Sequence, residues 1–229
     1  MALDDQPVTD VHGAQRQELL DGLREPPRSI NPKFFYNERG SELFARICEL
    51  DEYYPTRTEI GILERESAAI AHRLGTGCEL VEPGAGNCEK VRYLLADLQP
   101  SAYLPLDISR DFLLDAAQRL REDFPGLDVR PVVADFSADF DMPPASGRRV
   151  LFYPGSTIGN FEPAGARDFL TRAAQWVGRG GGLLIGVDLH KASELLDAAY
   201  NDSEGVTAAF NRNILDLSLI HISEPTRLD

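Results

Sequence analysis

ELVEPGAGNCEKVRYLLADL, residues 79–98, decides the architecture. Its first residues, Glu79-Leu80-Val81, form a short apolar run that ends at Gly84, which reads as a strand. Gly84 and Gly86 then let the backbone turn tightly and approach a ligand with no Cβ in the way. Val91, Leu94, Leu95 and Leu98 follow at the i, i+3, i+4, i+7 spacing of an amphipathic helix. The unit is therefore strand, glycine turn, helix.

The same unit recurs downstream. Residues 102–106 read as a second strand, and residues 112–120 as a helix with Ser109 as its cap. Residues 129–134 form a third strand and residues 150–153 a fourth. Pro163 stands where a helical turn begins, and that helix continues to Val177. Gly180-Gly181-Gly182 turns the chain into a fifth strand at 183–189. Strands alternating with helices at this spacing imply βαβ units and an open, parallel, doubly wound Rossmann-like sheet with helices on both faces.

Upstream the chain is helical. One helix is expected at 15–23, stopping before Pro26-Pro27, and another at 41–50 on the apolar face of Leu43, Phe44, Ile47 and Leu50. Tyr53-Tyr54-Pro55 breaks that pattern. A further helix is expected from Thr56 to Leu74, with Thr56 as N-cap and Glu59 completing a capping box; Gly75 and Gly77 end it.

Composition narrows the function. The 229 residues carry a formal net charge of −14, which argues against broad electrostatic attraction to nucleic acid or anionic lipid. No apolar run is long enough to span a bilayer. The polar, acidic first ten residues lack the basic and apolar blocks of a signal peptide. Cys48, Cys78 and Cys88 form neither a disulfide framework nor a paired metal motif, and His12, His72 and His190 are scattered without ligand spacing. The expectation is a cytoplasmic enzyme acting on a small molecule, with no metal. No heptad or exposed apolar stripe calls for an oligomer, so a monomer is expected.

In open α/β sheets a ligand binds beyond the carboxyl ends of the strands, near the point where strand order reverses. Three candidates stand at such ends. Gly84 opens the turn after the first strand. Asp107 ends the second, about twenty positions on, the placing of a carboxylate that accepts from ribose hydroxyls. Asp135-Phe136 ends the third, where a carboxylate can take an adenine amino group and a ring can pack on the base. The dinucleotide fingerprint wants a third glycine or alanine where Glu89 stands, and there is no GxxxxGK[ST] sequence to hold phosphates. These residues describe an adenosine site without a phosphate cradle, which fits S-adenosylmethionine better than NAD or ATP. Lys90 is a cation in a first helical turn, where cations are mildly disfavoured, and this points to a contact such as the cofactor carboxylate. Cys88 has nothing near it in sequence to activate a thiolate.

EPGAGNCEK (82–90), EYYPTRTE (52–59), FYPGSTIGNF (152–161) and AYNDSEGVTAAFNRN (199–213) resemble motifs of the histidine-specific Nα-methyltransferases, the hercynine-forming family of ergothioneine biosynthesis. The resemblance runs from about residue 31 to 215. It implies a class I methyltransferase sheet, S-adenosyl-L-methionine as cofactor, and three methyl transfers to the α-amine of L-histidine by direct displacement. It implies cofactor contacts from Gly84, Lys90, Asp107, Asp135 and Phe136. Tyr53, Asn160 and Tyr200 would hold the amino acid at its amino and carboxylate end, with Tyr53 also a candidate proton acceptor. An ordinary phenol is nevertheless a poor base at neutral pH. An indole amino acid as substrate, a noncatalytic nucleoside-binding role and an NAD-type oxidoreductase remain alternatives at this stage.

The resemblance also sets the expected domains. Residues 1–60 would be an N-terminal helical part of a smaller substrate domain, 61–195 the S-adenosylmethionine-binding Rossmann-like domain, and 196–216 the start of the rest of the substrate domain. Residues 217–227, LSLIHISEPTR, resemble a translated transposase sequencing adapter, so 217–229 is expected to be a non-native tail and His221 to carry no function. On that reading the region that would grip the imidazole is missing. The fifth strand would keep an uncovered edge, and the chain as written would be weakly active or inactive.

Overall fold

The computed structural model describes residues 11–24, 26–138 and 140–223, with side chains described for 17–24, 26–138 and 140–215. Five parallel strands form one sheet: β1 (Glu79–Pro83), β2 (Ala102–Asp107), β3 (Val132–Val133), β4 (Arg149–Tyr153) and β5 (Gly182–Ile185), in the order β3-β2-β1-β4-β5. Leu80 pairs with Tyr103 on one side and Val150 on the other, so β1 is central and the order reverses between β1 and β4. Every residue of β1 and β4 is buried, as expected of parallel strands covered on both faces.

Eight α-helices accompany the sheet among the described residues. They are α1 (Val11–Arg24), α2 (Glu38–Glu49), α3 (Tyr54–Leu74), α4 (Arg92–Leu98), α5 (Arg110–Asp123), α6 (Pro163–Val177), α7 (Ser193–Tyr200) and α8 (Val206–Ser223). One core lies on the face covered by α3, α4 and α5, with Leu80, Val150 and Phe152 pointing into it. The opposite face packs Val81, Leu104, Leu151 and Tyr153 against Phe169 and Ala173 of α6. A third cluster stands apart from the sheet and joins Leu43, Ile47, Tyr53 and Tyr54 to Ala199 and Val206. The helices that flank the sheet units in sequence thus share a core of their own.

Several local expectations shift. The helix expected from Thr56 begins at Tyr54, with Pro55 in its first turn and no side-chain cap at Tyr53. Pro55 supplies the fixed φ and the missing donor suited to that position, so no capping box is needed. Glu59 is thereby free to reach across the molecule. Ser109 occupies the N-cap position of α5, but its hydroxyl donates to the Tyr36 carbonyl instead of capping (2.7 Å). The third strand shortens to Val132–Val133, with Val129 making only an isolated bridge to Tyr103. The fifth ends at Ile185, and Val187 and Leu189 beyond it are exposed. α8 continues through 217–223, the stretch read as adapter-like; 224–229 lie outside the described residues.

At the amino ends of β1 and β4, Glu79 and Arg149 form a fully buried ion pair, with Arg149 Nε and Nη2 at 2.8 and 2.6 Å from Glu79 Oε2. Ser146 donates to the other carboxylate oxygen, and the guanidinium also reaches the Pro143 and Trp176 carbonyls. Removing one partner strands the other charge in the core. Glu79→Ala should therefore lower unfolding stability by about 3–5 kcal/mol in urea titration, and a loss below about 1 kcal/mol would contradict this account of the pair.

Candidate functional site

Parallel strands put their carboxyl ends on one side, and the turns after β1, β2 and β4 meet there. The turn after β1 is fixed by backbone bonds: the Gly84 and Ala85 amides both donate to the Leu106 carbonyl, at 2.7 and 3.0 Å. Gly84 and Gly86 have φ of +70° and +53°, left-handed values that L side chains rarely adopt. Asp107 closes the arrangement. Its Oδ2 accepts from the Gly86 amide (3.1 Å) and its Oδ1 from the Ser109 amide (2.9 Å), while burial raises its pKa and these amides oppose the rise.

Asp135 and Phe136 lie past β3. Asp135 accepts from the Ser137 amide and hydroxyl and forms an ion pair with Lys33 (2.7 Å), which also meets Glu18. Burial alone would raise the Asp135 pKa, but Lys33 and Ser137 hold it below the usual carboxylate value. The Phe136 ring packs edge-on against Tyr153 and Phe169, and a Cβ at Gly84 would lie 3.4 Å from it. Phe136 therefore forms the floor beneath the glycine turn. The Asp107 carboxylate beside the glycine turn, with Asp135 next to the Phe136 ring, suits the hydroxyls and amino group of a nucleoside. By its donor set, the site fits S-adenosylmethionine.

Lys90 is half-buried and forms an ion pair with Glu59 of α3 at 2.7 Å. Both Glu59 oxygens also accept from the Gly155 amide, at 2.9 and 2.8 Å, in the turn after β4. That turn continues through Ser156, whose hydroxyl accepts from the Asp188 amide (3.0 Å), to Asn160, which is exposed. Asp188 in turn accepts from the Tyr54 hydroxyl and pairs with Lys191.

Tyr53 and Tyr200 come together from distant parts of the chain, with rings 5.9 Å apart at 90°. Tyr53 is buried, whereas Tyr200 is 55% exposed. Burial, followed by the nearby Tyr200, Cys48, Tyr36 and Glu59, pushes the Tyr53 phenol well above its ordinary range. It stays protonated at neutral pH, which suits a hydrogen-bonding role and opposes a role as base. Tyr36 stands between the two candidate groups: burial raises its pKa first, with Cys48, Asp107 and Tyr200 all adding to the rise. Its ring meets Phe44 and Phe210, each at 5.5 Å, and Phe44 meets Tyr53 at 6.2 Å.

Sequence reading missed Glu59, Lys33 and Tyr36. Glu59 reads locally as a cap, and Lys33 takes Asp135, 102 positions away, besides Glu18, so no local pattern marks it. The AYNDSEGVTAAFNRN motif contains architecture as well as Tyr200. Asp202 accepts from the Val206 and Thr207 amides at the start of α8, and Asn213 donates to Asn37, the N-cap of α2. Cys88 is fully buried, and burial pushes its thiol up to about 12, leaving it inert. Among the described residues no group of His, Cys, Asp or Glu could hold a metal ion, and no helix is long and apolar enough to cross a membrane.

Residues 15–221 match the family described as histidine-specific, S-adenosylmethionine-dependent methyltransferases. The chain is 40% identical over 220 residues to a histidine N-alpha-methyltransferase of Mycolicibacterium smegmatis, covering 94% of this chain and 68% of that protein. It is 31% identical over 198 residues to ergothioneine biosynthesis protein 1 of Neurospora crassa, covering 83% of this chain and 22% of that one. The chain thus spans about two thirds of the mycobacterial relative and about a fifth of the fungal one. Among solved structures, the plantazolicin methyltransferase BpumL in complex with SAH superposes with a TM-score of 0.54 at 14% identity, over 94% of this chain and 80% of that one. At that identity the likeness concerns the fold.

Directly below the glycine turn, Glu82 is buried and accepts from the Tyr103 hydroxyl at 2.5 Å. Burial pushes its pKa up to about 8 despite Tyr103 and Lys90, which lower it. The folded protein therefore holds a proton here that the unfolded chain releases above its ordinary 4.5, so stability falls as pH rises from about 4.5 to about 8. Glu82→Gln keeps the protonated shape and removes the titration. Melting temperatures measured from pH 5 to pH 8 should fall less steeply for this variant than for the parent; parallel profiles would refute the assignment.

Proposed function

The chain belongs to the histidine-specific, S-adenosylmethionine-dependent methyltransferases, and on that basis we propose that it methylates the α-amino group of L-histidine. Three successive transfers would give trimethylhistidine (hercynine), a step of ergothioneine formation. The observation that carries this reading is convergence: Ser109, whose amide donates to Asp107, donates its hydroxyl to the Tyr36 carbonyl, and the Tyr36 ring leads through Phe44 to Tyr53 and Tyr200, so the candidate adenosine and amino-acid residues adjoin. We take the cluster joining the helices of residues 1–60 to those of 196–216 as the substrate-side unit, and 61–195 as the cofactor-side unit. The cytoplasm is the compartment we assign.

When bound, S-adenosylmethionine supplies an electrophilic methyl group. The residues that would hold it are Gly84 through its open backbone, Asp107 and Asp135 through their carboxylates, Phe136 through its ring and Lys90 through its ammonium. Tyr53, Tyr200 and Asn160 would hold the amino acid: the neutral phenols and amide can donate to its carboxylate and accept from its amine. With Tyr53 held protonated, the amine's proton passes to water, and the protein's contribution is alignment.

Calorimetric titration tests this reading. The chain should bind S-adenosylhomocysteine and ignore NAD, and Asp107→Asn should weaken the binding about tenfold, the scale of a hydrogen bond to a charged group. Tyr53→Phe should leave that binding intact while weakening histidine. Binding of NAD in place of S-adenosylhomocysteine would remove the methyltransferase reading. Binding of the nucleoside with histidine ignored, in this chain and in one extended to the length of the mycobacterial relative, would remove the substrate.

A further inference from the structure

Three strand ends meet on one carboxylate. Glu59 pairs with Lys90, which follows the turn after β1, and accepts the Gly155 amide of the turn after β4. The exit of β5 is shaped around the same group: a Cβ on Gly186 would lie 1.8 Å from Glu59 Oε1, so only glycine leaves room for the carboxylate to reach Gly155. Gly155 itself has φ of +81°, and a Cβ there would stand 3.2 Å from Lys90 Nζ. Glu59, Lys90, Gly155 and Gly186 thus interlock at the carboxyl edge of the sheet. The capping role that the local sequence offers Glu59 is not taken up, since helix α3 starts at Tyr54 without a side-chain cap.

From this geometry we propose that Glu59 is a positioning residue that aims the Lys90 ammonium at the cofactor and fixes the turn carrying Asn160, so that the cofactor and amino-acid sites share one anchor. The inference rests on the reading of Lys90 as a cofactor residue. Glu59 Oε2 accepts from both the Gly155 amide and the Lys90 ammonium, while Oε1 also faces the Gly155 amide. A glutamine would hold the ammonium without a charge and would turn an NH₂ toward the Gly155 amide where Oε1 now accepts, so the carboxylate anchors both groups more strongly. The buried Glu82 carboxyl lies close enough to respond to Lys90, which lowers its pKa, and to Glu59 and Asp107, which raise it.

The test is a double-mutant cycle on S-adenosylhomocysteine affinity, measured by calorimetry with the whole chain. Glu59→Gln and Lys90→Met should each weaken binding about tenfold, and the double variant should also lose about tenfold, because the first acts through the second. Gly186→Ala leaves every charge in place and drives the carboxylate off, its Cβ also standing 3.3 Å from the Gly155 nitrogen, so it should reproduce the Glu59→Gln loss even if the latter folds poorly. Hydrogen exchange read by NMR should show the Gly155 amide exchanging faster in both variants, a response that lost stability elsewhere in the fold would not localise there. Parent-like affinity in Glu59→Gln and Gly186→Ala, or losses that multiply to about a hundredfold in the cycle, overturns the inference alone. A parent chain that binds no S-adenosylhomocysteine overturns the proposed function and this inference together.

Discussion

Two amides donating to one carbonyl and a third donating to one carboxylate hold the turn after β1 against the end of β2, and the site is built outward from that junction. The turn can sit there only because Gly84 and Gly86 take left-handed backbone angles, and because β1 is buried between two neighbours that fix its height. From the junction, Asp107 presents its carboxylate next to the turn, Phe136 closes it from below, and Lys90 emerges beyond it toward α3. Each of these side chains is placed by a strand end, and strands are the least deformable parts of such a fold.

The substrate side is held in another way. No strand reaches Tyr53 or Tyr200. They are brought together by a separate aromatic and aliphatic core in which α2 and the start of α3 pack against α7 and α8. Capping contacts stabilise that union: Asn213 of α8 donates to the Asn37 side chain that caps α2, and Asp202 receives the first amides of α8. Tyr36, between the two halves, and Glu59, bonded to both the β1 and β4 turns, give the two cores a common boundary. Burial at that boundary keeps the Tyr53 phenol protonated.

Much of the fold was legible in the sequence. The alternation of apolar runs with amphipathic segments placed all five strands and helices α1 to α6, because a parallel sheet buried on both faces needs continuous apolar strands; α7 and α8 do not stand out in that pattern. Where boundaries moved, backbone physics explains the shift. Pro55 starts α3 earlier than the Thr56 cap would have done, and only Val132 and Val133 of the third strand keep ladder pairing. Gly84, Asp107 and Asp135 were recognisable as candidates because a strand end is a local feature, visible wherever an apolar run stops at a glycine or an acid.

By itself, then, the sequence determined the sheet, its glycine turn and the chemical character of a nucleoside site without phosphates, since these follow from the order of residues along short segments. Only the tertiary structure decided which partners those residues take. Lys90 pairs with Glu59 and Asp135 with Lys33, while Tyr53 meets Tyr200; in each case the partner lies far away in sequence on an element with its own local pattern. Glu59 shows the physical reason most clearly. Read locally, it is a cap in a first helical turn; in the fold, its carboxylate lies where three strand ends converge, and the donors around it determine what it does.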